Sequence, residues 1–263
     1  MGLQEPHLNH LIGAAVANPP PVPQFEYDIV ANEYGFYCVP HDFKGREVPE
    51  ILANGGVYEP ATLGLMARLL RQGGDVITGG TFIGDFLPAL SEALTPGARL
   101  HTFEPNPIAR EAALFSAWLN GLRNIDMHDC AVGEAPGALH LQVAKPNGNS
   151  MAARAKVVDE AAEGETITVE TKTLDSLVDT SRQVALIHLD VEGHEWPAIL
   201  GARQIIATHS PCIIVEAERG WKRRNIEAGL AELFPLAGYR RAGLIERNAI
   251  YMPQNARGLF RSV

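Results

Sequence analysis

The sequence predicts an α/β fold, a mostly parallel sheet with helices on both faces, and three observations carry that prediction. Short Val/Ile/Leu-rich runs alternate with amphipathic helical patterns through the middle of the chain, as crossover-connected parallel strands require. A glycine-bearing turn joins one such run, Asp75-Val76-Ile77-Thr78-Gly79-Gly80, to the pattern that follows it. A later run, Ile187-His188-Leu189, delivers Asp190-Val191-Glu192-Gly193-His194-Glu195 in quick succession. Strands buried on both faces read as continuous apolar runs, and open α/β sheets bind ligands beyond the carboxyl ends of such strands.

Composition bounds the answer. With 263 residues, 46% hydrophobic and 20% charged, the chain has the make-up of one large globular α/β domain with room for an appended lobe. A net charge of −9 opposes a nucleic-acid-binding surface. Lys222-Arg223-Arg224 is the only dense basic run and reads as a solvated helix start. No run is long enough to cross a bilayer, and no basic segment precedes Leu11–Ala17, so we expect no signal peptide, no membrane partner and a cytoplasmic location. Cys38, Cys130 and Cys212 lie far apart and read as free buried thiols, with no zinc site indicated.

Taken in order, residues 1–24 form an irregular arm ending in Asn18-Pro19-Pro20-Pro21-Val22-Pro23. Aromatic and β-branched residues from Phe25 to Gly56 suggest short strands with turns at Gly35 and Gly45, so residues 1–56 are expected to be an arm and small extension of a domain spanning 57–263. Pro60 opens a helix with Leu63, Met66, Ala67 and Leu70 on one face, closed by Gly73-Gly74. That helix either carries Tyr58 and Glu59 across a ligand cleft or simply packs on the sheet. After the strand at Asp75, a helix with Ile83, Phe86, Leu87, Leu90 and Leu94 on one face is expected, provided Pro88 falls in its first turn. Arg99 to Phe103 forms the next strand and ends in Glu104, about 20 residues beyond Gly84, where an acid can hold a ribose diol.

Asn106 caps a helix that starts at Pro107 and ends at Asn120-Gly121. The strand Ile125 to His128 ends at Asp129, which either meets an adenine amino group or is a turn residue. Ala138 to Val143 and Thr166 to Lys172 have strand character around a polar excursion that is either a lid or a surface loop. Within it Asn147, Gly148, Asn149 and Ser150 either bind an acceptor or form a turn. Val184 to Leu189, a helix including Ile199, Leu200 and Ile205, Pro211 to Val215 and a helix through Ile226 and Leu230 complete the alternation. Tyr239 and Asn248 to Met252 suggest a closing strand pair, the last antiparallel.

Period-two alternation would put His188, Asp190 and Glu192 on one side and Leu189 and Val191 on the other. Asp190 and Glu192 then either face a ligand or cap the following helix. Gly79, Gly80, Thr81 and Gly84 form a turn whose backbone can approach a ligand closely. Turn, helix, strand and terminal acid together point to an adenosine-containing cofactor.

The order Tyr58-Glu59-Pro60, Gly80-x-x-x-Gly84, Phe103-Glu104-Pro105-Asn106, Thr173-Leu174-Asp175, Asp190-Val191-Glu192-Gly193-His194-Glu195 and Leu200-Gly201-Ala202 resembles the FkbM family of S-adenosylmethionine-dependent methyltransferases, over about residues 55 to 252. The resemblance implies a class I methyltransferase (Rossmann-like) fold, a seven-stranded mostly parallel sheet with helices on both faces. It implies methyl transfer to a hydroxyl of a small molecule or glycan, a sugar or natural product. Asp190 and His194 are then the base candidates, with Glu192 orienting. Tyr58, Glu59, Gly79, Gly80, Thr81, Gly84, Glu104, Pro105, Asn106, Asp129 and Asp190 would surround S-adenosyl-L-methionine. Two departures stand out: Thr78 replaces the family's usual acid, which helps hold the methionine amino group, and Phe82 replaces a small polar residue. Asp75 or Asp85 could compensate, although neither matches the motif position.

Rival readings stay open. His188, Asp190 and Glu192 could hold magnesium, which we disfavour because no second acidic cluster lies nearby in sequence. A nicotinamide-dependent (NAD-binding) enzyme would also want the glycine turn and Glu104, but the glycine spacing differs from its fingerprint. A non-catalytic protein that kept the fold is the third.

Overall fold

The computed structural model describes residues 22–144, 156–158 and 164–254. Most of the expected arm and the Asn147–Ser150 patch lie outside the described residues. The chain begins with an antiparallel hairpin of β1 (Tyr27–Asn32) and β2 (Gly35–Pro40), a 3-10 turn at His41–Phe43 and α1 (Glu47–Ala53). Helix α1 had no counterpart in the sequence reading, which saw only strands here. The boundary we propose at residue 56 falls between α1 and α2 (Pro60–Leu70), yet the two sides share a core. Tyr37, Cys38, Val39 and Phe43 pack with Phe82, Ile83, Ala112 and Phe115. Asn120 stitches the hairpin down by accepting from the Phe36 N–H and donating to its carbonyl.

The chain then alternates as expected through β3 (Asp75–Gly79), α3 (Leu87–Ala93), β4 (Leu100–Phe103), α4 (Pro107–Leu119) and β5 (Ile125–His128). Helix α3 starts at Leu87 rather than near Ile83, because Phe82 and Gly84 have φ of +48° and +85° and cannot be helical. Pro88 therefore lands in the first turn, where its missing N–H costs nothing. The excursion is a second sheet of β6 (Ala131–Val132), β7 (Gly137–Ala144), β8 (Lys156–Val158) and β9 (Glu165–Lys172), in the order β6-β9-β7-β8.

A short helix α5 (Leu174–Leu177), capped by the Thr173 hydroxyl, leads into β10 (Val184–Leu189). The single helix expected next is two, α6 (Glu195–Leu200) and α7 (Arg203–His209). The break comes at Gly201, where a Cβ would lie 2.0 Å from the Gly133 carbonyl oxygen. β11 (Cys212–Glu216), α8 (Gly220–Leu233), β12 (Arg240–Ile245) and β13 (Asn248–Met252) close the domain.

The main sheet runs β12-β13-β11-β10-β3-β4-β5. All neighbours from β11 to β5 are parallel, and β13 is antiparallel to both β11 and β12. This is the class I methyltransferase sheet. From β3 the chain first moves outward to β5, then returns to place β10 on the other side of β3. Strand order reverses there, so the carboxyl ends of β3 and β10 flank the crevice where such sheets take ligands.

Candidate active site

Backbone contact joins the two ligand-type motifs. The Asp190 N–H donates to the Gly79 carbonyl at 3.1 Å. Gly80, at φ +83°, lies so close to the Asp190 carbonyl that no side chain fits between them. Above this junction opens a cavity of about 290 Å³, bounded by the ends of β3, β4 and β10, Tyr58 and Glu59 just before α2, the start of α1 and Leu139 and Leu141 of the small sheet.

Glu104 follows β4 and is buried in the cavity wall. One carboxylate oxygen accepts the Phe82 N–H at 2.8 Å and the other the Asn106 N–H at 2.9 Å. Burial pushes its carboxyl up to about 7 against the pull of those two amides. The Phe82 amide points this way because the residue sits in the left-handed region. Each oxygen retains lone-pair capacity for a further donor.

Asp190 stands at the end of β10 among other acids. Burial raises its carboxyl well above the usual range, and Glu216, Glu192, Glu59 and Glu195 add repulsion. His188, one residue inside the strand, bonds through Nδ1 to Thr78 Oγ1 at 3.0 Å and stacks on Phe86 at 5.6 Å. Burial pulls its imidazole down to about 4, so it is neutral at pH 7. His188 Nε2, buried, finds no partner among the described residues. His194 is also lowered by burial, opposed by Glu195.

Of the residues singled out from sequence, Tyr58, Glu59, Gly80, Thr81, Glu104, Pro105, Asp190, Glu192 and His194 all line the cavity. The expected alternation stops at Leu189, where β10 ends. Glu192 has φ +51°, so Val191 reaches the cavity as well. Gly79, Gly84, Asn106 and Asp129 are not in the wall. Gly79 is a strand residue packed beneath Val191, and Gly84 abuts the backbone of Ala113. The Asn106 side chain is spent capping α4, accepting from the Ile108 and Ala109 amides. Asp129 is exposed, while its neighbours Cys130 and Ala131 supply the wall. Asp75 lies at the opposite end of β3, held by Arg182 at 2.6 and 2.8 Å, and cannot stand in for an acid at position 78. Lys222 is not merely solvated: its Nζ is 2.8 Å from the buried Glu195.

Glu216, Arg247 and the Gly45–Pro49 segment line the cavity without having been singled out as site residues, and so does Asp85, considered from sequence only as a stand-in for the acid absent at Thr78. Glu216 ends a recognised strand, the same signal that marked Glu104 and Asp190. Arg247, in the β12–β13 turn, carried no signal. Among the described residues no group of three His, Cys, Asp or Glu could hold a metal ion, and no helix is long and apolar enough to cross a membrane.

Residues 78–241 match the methyltransferase FkbM domain. No curated protein matches the chain. The solved structure of methyltransferase FkbM from Methylobacillus flagellatus KT shares the fold, with a TM-score of 0.50 at 19% identity over 68% of this chain and 43% of that one. The present chain thus spans less than half of that protein. A methyltransferase from Geobacter sulfurreducens aligns over 95% of this chain and 90% of its own, at 10% identity and a TM-score of 0.44. Precorrin 8W decarboxylase from Methanobacterium thermoautotrophicum aligns over 75% and 91%, at 15% identity and a TM-score of 0.43.

Proposed function

Since this chain belongs to the methyltransferase FkbM domain family, we propose that it moves the methyl group of S-adenosyl-L-methionine onto a hydroxyl oxygen of a small molecule or glycan. The observation that carries the reading is the shared cavity. Glu104 and Asp190, from strands distant in sequence, both wall one space floored by the Gly80 turn.

The residues present suit such a donor. The floor at Gly80 has no room for a Cβ and exposes backbone, which lets a ligand approach closely. Glu104 would hold the ribose diol through its remaining lone pairs. Phe103, Cys130, Val132 and Leu141 offer an apolar wall for a base, and Tyr58, Glu59 and Thr81 would meet the methionine end. When bound, the donor supplies an electrophilic methyl on a sulfonium, which leaves as the neutral thioether with the carbon–sulfur electron pair.

The protein's part is to orient, exclude water and take a proton. With the donor bound, Asp190 would take the proton that the acceptor hydroxyl loses as its oxygen is methylated. Asp190 suits that task because burial, with its acidic neighbours adding to it, makes its carboxylate more basic than an ordinary one. Glu192 would orient the acceptor hydroxyl. His194, neutral at pH 7, is the second candidate acceptor for the proton.

Calorimetry with S-adenosylhomocysteine and with NAD, followed by transfer of labelled methyl to a panel of polyols, sugars and amines, tests the reading. Binding of S-adenosylhomocysteine and labelling of hydroxyl acceptors is the expected result. Binding of NAD alone, or labelling confined to amines, would overturn it.

A further inference from the structure

Asp85 and Glu59 form an unexplained pair in the same cavity. Asp85 lies in the loop between Gly84 and α3, and Glu59 immediately before α2, with φ +43°. Burial pushes the Asp85 carboxyl up to about 7, and Glu59 adds to the rise. Glu59 is raised chiefly by its own burial, although it accepts from Asn248 Nδ2 at 2.6 Å. Neither takes part in an ion pair among the described residues. Arg247, which lines the same cavity, is engaged with Glu47 at 2.9 and 3.0 Å. Two partly buried acids sharing one cavity without a neutralising cation oppose folding unless something positive joins them.

A second observation in the same cavity points to a ligand. His188 is 5% exposed, lines this cavity, and its Nε2 has no hydrogen-bond partner among the described residues. Unmade bonds of buried polar atoms are rare in native folds. The ring is fixed by Thr78 on one side and Phe86 on the other, so Nε2 cannot turn away to find one. Two carboxylates and one neutral imidazole nitrogen lining one cavity match the charged end of an amino acid, an ammonium with its neighbouring polar group.

We propose that Asp85, with Glu59 behind it, receives the primary ammonium of the methyl donor, while His188 Nε2 takes the polar group beside it. This rests on the donor reading above. It also accounts for Thr78: the ammonium is held from the loop after Gly84 instead of from the end of β3. Glu104 and the Asp85–Glu59 pair then grip opposite ends of one molecule.

The test compares two probes, S-adenosylhomocysteine and 5′-methylthioadenosine, which share the adenosyl thioether but differ in the amino-acid end. Calorimetry on the full chain is run for wild type, Asp85→Asn and Glu59→Gln. A charged hydrogen bond of this kind predicts that Asp85→Asn weakens S-adenosylhomocysteine roughly ten- to hundredfold and leaves 5′-methylthioadenosine unchanged. Glu59→Gln should show the same selectivity with a smaller loss. Retained 5′-methylthioadenosine binding shows that the variants are folded. Unchanged S-adenosylhomocysteine affinity in Asp85→Asn, or equal loss of both probes, would overturn the proposal while leaving the donor reading intact. Failure of wild type to bind either probe would remove the donor reading itself.

Discussion

The Asp190 carbonyl oxygen occupies the place where a Gly80 side chain would begin: a Cβ built on Gly80 would lie 1.8 Å from it. Two segments far apart in sequence therefore meet backbone to backbone at the centre of the sheet's carboxyl edge. Gly80→Ala adds a methyl that must displace Asp190 and forces a side chain into φ +83°. Backbone strain of this kind costs about 1–3 kcal/mol by itself, and the overlap adds to it. We expect a lower urea midpoint together with weakened S-adenosylhomocysteine binding. A variant as stable as wild type would mean that the ends of β3 and β10 stand further apart than described.

Glu104 links a turn to a ligand. Its carboxylate holds the Phe82 and Asn106 amides, so Glu104→Ala should both destabilise the fold and weaken S-adenosylhomocysteine, the latter by about 1–3 kcal/mol if the carboxylate meets the diol. Two hydroxyl donors favour the charged form, which in the free protein titrates near 7. Affinity should accordingly be level above pH 7 and fall as the pH drops below it, with proton uptake at the site opposing binding. An affinity flat from about one pH unit below to one above that titration in calorimetry would exclude the diol role.

Asp190 gives the pH dependence of turnover. A base must be unprotonated, and this carboxyl is raised well above the usual range by burial and by its acidic neighbours. Activity should therefore rise with pH through a value higher than an ordinary aspartate's, and be lost on the acid side. Asp190→Asn should remove most of kcat while S-adenosylhomocysteine still binds. A variant that retains wild-type turnover would shift the base role to His194.

The alternation of apolar runs and amphipathic patterns made the succession of strands and helices legible, because β3, β4, β10 and β11 are buried almost throughout and are therefore mostly apolar. Glu104 and Asp190 were legible for the related reason that charges directly after such strands need a use. What was not legible depends on long-range contact. Helix α1 is short, and its apolar face is defined only by the hairpin it covers. The break at Gly201 answers to the carbonyl of Gly133, which no local pattern announces. Arg247 reaches the cavity only because β13 turns back beside β11. The apparent usefulness of Asn106 and Asp129 came from their neighbours: one caps a helix, and the other faces solvent beside two wall residues.

Glu195 and Lys222 supply the support beneath the Asp190 turn. Glu195 is fully buried, accepts the Gly193 N–H at 3.0 Å with one oxygen, and places the other 2.8 Å from Lys222 Nζ. Lys222 reaches it from the first turn of α8, so the pair ties that helix to the loop bearing the base. Removing one partner of a buried pair costs about 3–5 kcal/mol, because the remaining charge is stranded. Lys222 keeps a side-chain exposure of 21%, which places the expected loss for Lys222→Met at the lower end of that range. Adding Glu195→Gln to Lys222→Met should restore much of the lost stability, since the amide can still serve Gly193 through its carbonyl and carries no charge. Urea unfolding of the two single variants and the double variant measures this directly. Losses that simply add would show that the two side chains act independently, and the turn that carries Asp190 would then owe its shape to the Gly80 contact alone.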